Sequence, residues 1–217
     1  MDAQRLESIR ADYDRIADEY AAHIAGELAN KPLDRQLLLR FAAATGARGL
    51  VCDMGCGPGH VACFLHNAGV EVFGLDLAPQ MVEQAGRLNP GIAFRQGNML
   101  ALDLPDASLA GITAFYSIVN LPVESVSAAF REMARVLAPG GLLLLAFHAG
   151  DEVLNPSEFW GRPVSMEFFY FRPPAIRQLL ADAGFAIEEL VERGPYAPEV
   201  EHQSHRAYIF ARKPSET

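Results

Sequence analysis

Apolar positions follow a helical period through the first 45 residues and then give way to short runs typical of buried strands. Tyr13, Ile16, Ala17 and Tyr20 recur at spacings of three and four, which puts them on one face of a helix. Asn30-Lys31-Pro32 interrupts this stripe, and Leu33, Leu37, Leu38 and Phe41 carry a second one that ends near Gly46. Residues 1–45 are thus predicted to form a helical N-terminal cap. Beyond them the pattern alternates. Leu50 to Met54 is apolar and bounded by glycines, as expected of a strand buried on both faces. His60 to Ala68 reads as a helix, Val70 to Leu75 as a strand, Pro79 to Leu88 as a helix, and Ile92 to Gln96 and Gly111 to Tyr116 as strands. Ser125 to Leu137 is a helix with Pro139-Gly140-Gly141 beyond its end, and Leu142 to Phe147 is a fifth strand.

This repetition predicts an α/β fold with a doubly wound, mostly parallel sheet covered by helices on both faces. Residues 149–172 break the rhythm, with Phe159, Trp160, Phe168, Phe169, Tyr170 and Phe171 set among prolines as an aromatic insert after the fifth strand. Pro173 to Ala183 returns to helix, and Phe185 to Glu192 and Arg206 to Arg212 are two last strands. The 217 residues are expected to form a single domain.

Composition narrows the partners. Half of the residues are hydrophobic and 21 % are charged, ample for a core. Lys and Arg total 18 against 27 Asp and Glu, a formal charge of −9 that repels phosphate backbones and anionic lipid. No nucleic acid and no membrane are expected as partners. The longest apolar run, Leu142 to Phe147, is far below the ~20 residues of a spanning helix, and Met1 to Glu7 lacks the pattern of a secretory signal. Cys52, Cys56 and Cys63 are an odd, crowded set, unlike a disulfide framework or a paired zinc motif. Glu201-His202-Gln203-Ser204-His205 lacks the HExxH order, and on a strand its histidines face opposite ways. The expectation is a cytoplasmic protein with reduced thiols and no metal, monomeric or homodimeric.

The chemistry concentrates in Val51-Cys52-Asp53-Met54-Gly55-Cys56-Gly57-Pro58-Gly59-His60, where a strand ends in an acid and runs through three alternate glycines into a helix. Glycines permit a sharp turn and close approach of a ligand, and the helix start offers unpaired amides. A second acid, Asp76, ends the next strand about 20 residues on, the position from which a carboxylate reaches ribose hydroxyls. The loop is G-x-G-x-G with Pro58, unlike the G-x-G-x-x-G of an NAD site. The phosphate loop of ATPases and GTPases is absent.

Asp53-Met54-Gly55-Cys56-Gly57-Pro58-Gly59 resembles the first motif of class I S-adenosylmethionine-dependent methyltransferases of the small-molecule type. Tyr13 to Tyr20, Gly74 to Met81, Gln96 to Met99, Arg135 to Gly141 and Ala183 to Phe185 are similar to further segments of that family. The resemblance implies a Rossmann-like sheet of seven strands with the last one antiparallel, and S-adenosyl-L-methionine as cofactor. It assigns Asp53 and the Gly55, Cys56, Gly57, Gly59 and His60 backbone to the methionine end. Asp76 goes to the ribose, Leu77 and Met81 to the flanks of the adenine, Asn98 and Met99 to its edge, and Tyr116 and Ser117 to the pocket wall.

Methyl transfer from a sulfonium needs alignment above all, and a base only where the acceptor must lose a proton. His148, directly after the fifth strand, is the candidate base. Tyr20 and Asn120 are the other candidates beside the reacting atoms. Tyr13, expected to pack with its hydroxyl at the pocket rim, joins Trp160, Phe168 and Tyr170 as candidate contacts for the acceptor. The loop Ser117-Ile118-Val119-Asn120-Leu121-Pro122 lacks the Asn/Asp-Pro-Pro-Tyr/Phe motif of enzymes acting on base or glutamine amines, and the Pro-Cys pair of cytosine-C5 enzymes is missing. The acceptor is therefore expected to be a small molecule methylated at O, N or S. A non-catalytic S-adenosylmethionine-binding module is the alternative, ahead of an NAD-linked oxidoreductase.

Overall fold

The computed structural model describes residues 1–215. Helix α1 (Ala3–Ile24) starts at Asp2, whose side chain accepts from the Arg5 amide, and α2 (Pro32–Thr45) starts on a proline suited to a first turn. A single 3-10 turn, Glu27–Asn30, joins them. Then follow β1 (Val51–Met54), α3 (His60–Asn67), β2 (Val72–Asp76), α4 (Pro79–Leu88), β3 (Ala93–Gln96), β4 (Leu109–Phe115), α5 (Val123–Val136) and β5 (Leu137–His148). The aromatic insert holds four two-residue strands, β6 (Val153–Leu154) to β9 (Phe168–Phe169), of which β6 pairs with β9 and β7 (Glu158–Phe159) with β8 (Arg162–Pro163). Helix α6 (Pro173–Asp182), β10 (Ala186–Arg193) and β11 (Arg206–Arg212) complete the order.

Seven strands form one sheet in the order β10-β11-β5-β4-β1-β2-β3. All neighbours are parallel except β11, which lies antiparallel between β5 and β10. After β3 the chain returns to the other side of β1, so β1 and β4 flank a topological switch point. On one face Phe130 and Met133 of α5 and Ile176 and Leu180 of α6 pack on Ile112 and Leu143. On the other, Leu37, Leu38 and Phe41 of α2 and Val61 and Leu65 of α3 pack on Val51, Leu142 and Leu144. Helix α1 belongs to neither layer. Its Ile9, Ile16 and Ala17 pack on Ala78, Met81, Val164 and Met166, joining α4 to the insert.

One expected turn is absent. Helix α5 ends at Val136 and the chain becomes strand at once, with Pro139-Gly140-Gly141 inside β5. The reason is pairing: Gly140 donates to the Lys213 carbonyl and Lys213 to that of Gly141, which draws the segment into the sheet.

Candidate functional site

The first glycine loop turns at the carboxyl end of β1. Gly55, Gly57 and Gly59 all take positive φ (70°, 51° and 80°), a region costly for other residues. A Cβ on Gly55 would stand 2.3 Å from Cβ of Ser117, so this approach of two loops admits glycine alone. Tyr116, at φ 52°, turns the chain after β4 and brings Ser117 to that spot.

Between these loops and α1 lies a cavity of about 90 Å3. Gly55, Gly57, Tyr20 and Tyr13 line one part of it; Asp76, Leu77, Met81, Asn98 and Met99 line another. Tyr116, Ser117 and Asn120 form the wall from the loop after β4. Most of the residues expected at a donor pocket are thus brought together. Ile9 and Leu6, one and two turns ahead of Tyr13 on α1, complete the roof.

Two acids of the motif do different work. Asp53 is buried away from the lining; its Oδ2 accepts from the Ala62 amide at 3.0 Å and its Oδ1 from the Thr113 hydroxyl at 2.9 Å. Burial pushes its pKa up to about 6, against the His60 charge and the Thr113 bond. It ties β1 to α3 and β4. The Asp76 carboxylate faces the cavity and accepts from Gly57 (2.8 Å) and Ala78 (3.0 Å), while burial raises its pKa against those amide bonds.

The loop amides are also spent within the protein. Gly55 and Cys56 donate to the Leu75 carbonyl, Gly57 to Asp76, and Gly59 to the Cys56 carbonyl. Pro58 has no donor. The loop therefore contributes space and shape to the cavity in place of the amide cradle expected from its sequence. Cys56, Gly59 and His60 lie outside the lining, and His60 bonds Glu27 through Nε2 (3.2 Å) with Nδ1 buried and unpartnered.

The expected base and aromatic wall are elsewhere. His148 is packed between Tyr116 and Tyr170, with Nδ1 on the Ser204 hydroxyl at 2.7 Å and Arg206 3.0 Å away. Burial and the Arg206 charge lower its pKa to about 3, which leaves a neutral ring of little basicity. Trp160 stacks on His23 at the outer side of α1 and is 37 % exposed. Phe168 stacks on Phe159, and Tyr170 bonds His202 near the surface. None of the four lines the cavity. Trp160 and Tyr170 of the insert instead meet α1, His148 of β5 and His202 in the loop before β11.

The methyltransferase domain family matches residues 51–141, from β1 through the start of β5. The chain is 31 % identical over 157 residues to malonyl-[acyl-carrier protein] O-methyltransferase of Enterobacter lignolyticus, covering 71 % of this chain and 59 % of that protein. It is 34 % identical over 175 residues to trans-aconitate 2-methyltransferase of Methylobacterium nodulans, covering 80 % and 59 %. Its fold matches that of DhpI in complex with SAH with a TM-score of 0.76, over all of both chains at 20 % identity. The chain belongs to the class I S-adenosylmethionine-dependent methyltransferases. It spans little more than half the length of the curated relatives it matches.

The cavity fits the family's donor on its own chemistry. Asp76 offers a buried carboxylate to a diol, and the Ser117 hydroxyl, on the lining, is buried with no partner in the protein. Leu77, Met81 and Met99 give an apolar slot beside Asn98, whose Oδ1 already accepts from the Leu100 amide at 2.9 Å.

Behind Tyr116 the chain carries a buried ionic cluster. Glu201 meets Arg193, Arg206 (2.8 Å) and Lys31 (3.6 Å), and Lys31 also holds Glu27 at 2.6 Å. Arg193 reaches Asp34 at 3.1 Å, which accepts from Tyr208, itself 3.2 Å from the Tyr116 hydroxyl. The Glu201-to-His205 segment, considered above for a metal, is occupied in this network. Among the described residues, no three His, Cys, Asp or Glu side chains are grouped to hold a metal ion, and no helix is long and apolar enough to cross a membrane.

Proposed function

We propose that the chain transfers the methyl group of S-adenosylmethionine to a small-molecule acceptor, with residues 1–45 as cap and 149–172 as lid of one catalytic unit. The observation that carries this is the cavity in which the Asp76 carboxylate and the unpartnered Ser117 hydroxyl line the same space under α1. When bound, the donor supplies an activated methyl carbon on a sulfonium. Asp76 holds the ribose hydroxyls; Leu77, Met81 and Met99 flank the adenine; Gly57 leaves room for the methionine end against Tyr20. Helix α1 excludes water, and the loop from Tyr116 to Asn120 aligns the acceptor.

Calorimetry with S-adenosylhomocysteine tests the donor site. Binding to the wild-type protein is expected, with affinity falling about tenfold or more in Asp76→Ala through loss of charge-assisted bonds. Heat with NADH and none with S-adenosylhomocysteine overturns the proposal. Labelled donor offered with a range of acceptors separates an enzyme from a non-catalytic binding module.

A further inference from the structure

Methyl transfer to a phenol, an alcohol or a protonated amine requires a group that takes up a proton. Among the described residues, the ionisable side chains lining the cavity are Tyr13, Tyr20, Tyr116 and Asp76. Burial raises the pKa of each phenol, so all three stay protonated, and Asp76 is engaged by two amides. No histidine, cysteine or lysine side chain lines it, and His148 is turned into the cluster behind Tyr116. An acceptor that reaches this space must bring its own lone pair, free at neutral pH.

A second depression, an open groove of about 510 Å3, lies beside the cavity and shares Ile9 and Asn120 with it. Asn120 is the partition: its Oδ1 accepts from the Tyr13 hydroxyl at 2.8 Å, and its Nδ2 donates to the Glu167 carbonyl at 2.7 Å. The groove is polar, with Ser8, Ser165, Asn155 and Glu167 on its walls and Arg5 as its one cationic side chain. Arg5 pairs with Glu167, and both are more than a third exposed, so water screens this pair and a competing anion can displace it. Its guanidinium lies 5.5 Å from the centre of the Phe169 ring, which fixes its direction. Asp2, also on the groove, is occupied in capping α1.

We propose that this groove admits a carboxylate-bearing acceptor, received by Arg5 and passed beneath Asn120, and that the methyl goes to a carboxylate oxygen without a protein base. This rests on the donor site proposed above. A lone pair of the carboxylate oxygen forms the new O–C bond as the S–C bond breaks and its electron pair stays on sulfur. The carboxylate becomes a neutral methyl ester, the sulfonium a neutral thioether, and no proton moves. Opposite charges cancel in a partly enclosed, low-dielectric space, where their attraction exceeds that in bulk water. The substrates named for two relatives, malonyl-[acyl-carrier protein] and trans-aconitate, both carry free carboxylates.

The test offers labelled donor with trans-aconitate, octanoate and benzoate, and with catechol and octylamine as controls. Label is expected in a base-labile methyl ester of at least one acid. Calorimetry of that acid on the protein saturated with S-adenosylhomocysteine is expected to show about tenfold weaker binding in Arg5→Gln, with S-adenosylhomocysteine affinity unchanged. Label only in a base-stable product of catechol or octylamine, or in none of the acids, overturns the proposal while leaving the donor site standing. Equal acid binding by Arg5→Gln overturns the groove as its route. Failure to bind S-adenosylhomocysteine at all refutes the donor site itself.

Discussion

His148 carries the physics of this site in one ring. It ends β5 at the carboxyl edge of the sheet, yet it is packed between the Tyr116 and Tyr170 rings with the Ser204 hydroxyl and the Arg206 guanidinium on its Nδ1. A buried imidazole beside a guanidinium takes up no second proton until about pH 3. NMR titration of the histidine rings should therefore find one with no midpoint between pH 8 and 4.5, and its loss in His148→Gln identifies it. A midpoint near 6.5 for that ring would refute the packing described. The folded value lies below the unfolded one, so the unfolded chain takes up the proton first. Its share of stability is lost as pH falls from 6.5 toward 3, and His148→Gln should flatten that part of the pH–stability curve. Sequence position alone could not show this. It placed His148 at the ligand-binding edge, but Arg206 and Ser204 meet it from a strand and turn more than 50 residues away.

At the scale of elements, α1 is fastened along its length to the segment 162–167 of the insert. Asp12, buried, accepts from the amide (2.7 Å) and hydroxyl (2.9 Å) of Ser165; Arg15 reaches the Pro163 carbonyl and Arg162 reaches Glu19. Asp14 accepts from the Gln80 amide at the start of α4. Cap and insert open as one unit on this geometry. Asp12→Ala should raise amide exchange in residues 3–24 and 162–167 together, without change in β4 or β5; a rise confined to one of the two segments counts against the coupling. The elements themselves were legible. Strand and helix positions from Leu50 to Leu88 follow directly from apolar runs broken by Gly and Pro, and Arg206 to Arg212 was read to the residue. Most of the cavity lining was legible for the same reason, since those residues cluster in local motifs after β1, β2, β3 and β4. The insert was not. Its aromatic residues suggested a ligand wall, but aromatic content cannot distinguish a surface that awaits a ligand from one already stacked on His23, Phe159 and His148.

For the whole molecule, the ionic cluster joins the cap, the loop before β11 and the sheet. Burial works to raise the pKa of Glu27 and Glu201, but His60 and Lys31 on the first and Arg193, the Tyr196 amide and Arg206 on the second hold both at about 2. Both values lie below the ordinary 4.5, so this stability is complete above pH 4.5 and is lost as pH falls toward 2. Thermal melting should show a drop in Tm across that window, shallower in Arg206→Met than in the wild-type protein; parallel curves for the two proteins would remove the cluster from the account. At pH 7, Arg206→Ala leaves Glu201 short of a partner and should cost about 3–5 kcal/mol in urea unfolding.

The place of β11 between β5 and β10 has a consequence for synthesis. Strand β5 pairs with β4 as soon as both have left the ribosome, but its other edge waits for residues 206–212, the final strand of the sheet to emerge. Until then Leu142 to Phe147 presents an open row of main-chain groups flanked by wholly apolar side chains, the kind of edge that recruits other nascent chains. The crevice at β1, β2 and β4 that we propose for the donor is complete by that stage. Early ligand capture is thus compatible with an unfinished sheet, whereas protection from aggregation depends on the strand of this sheet that is translated last.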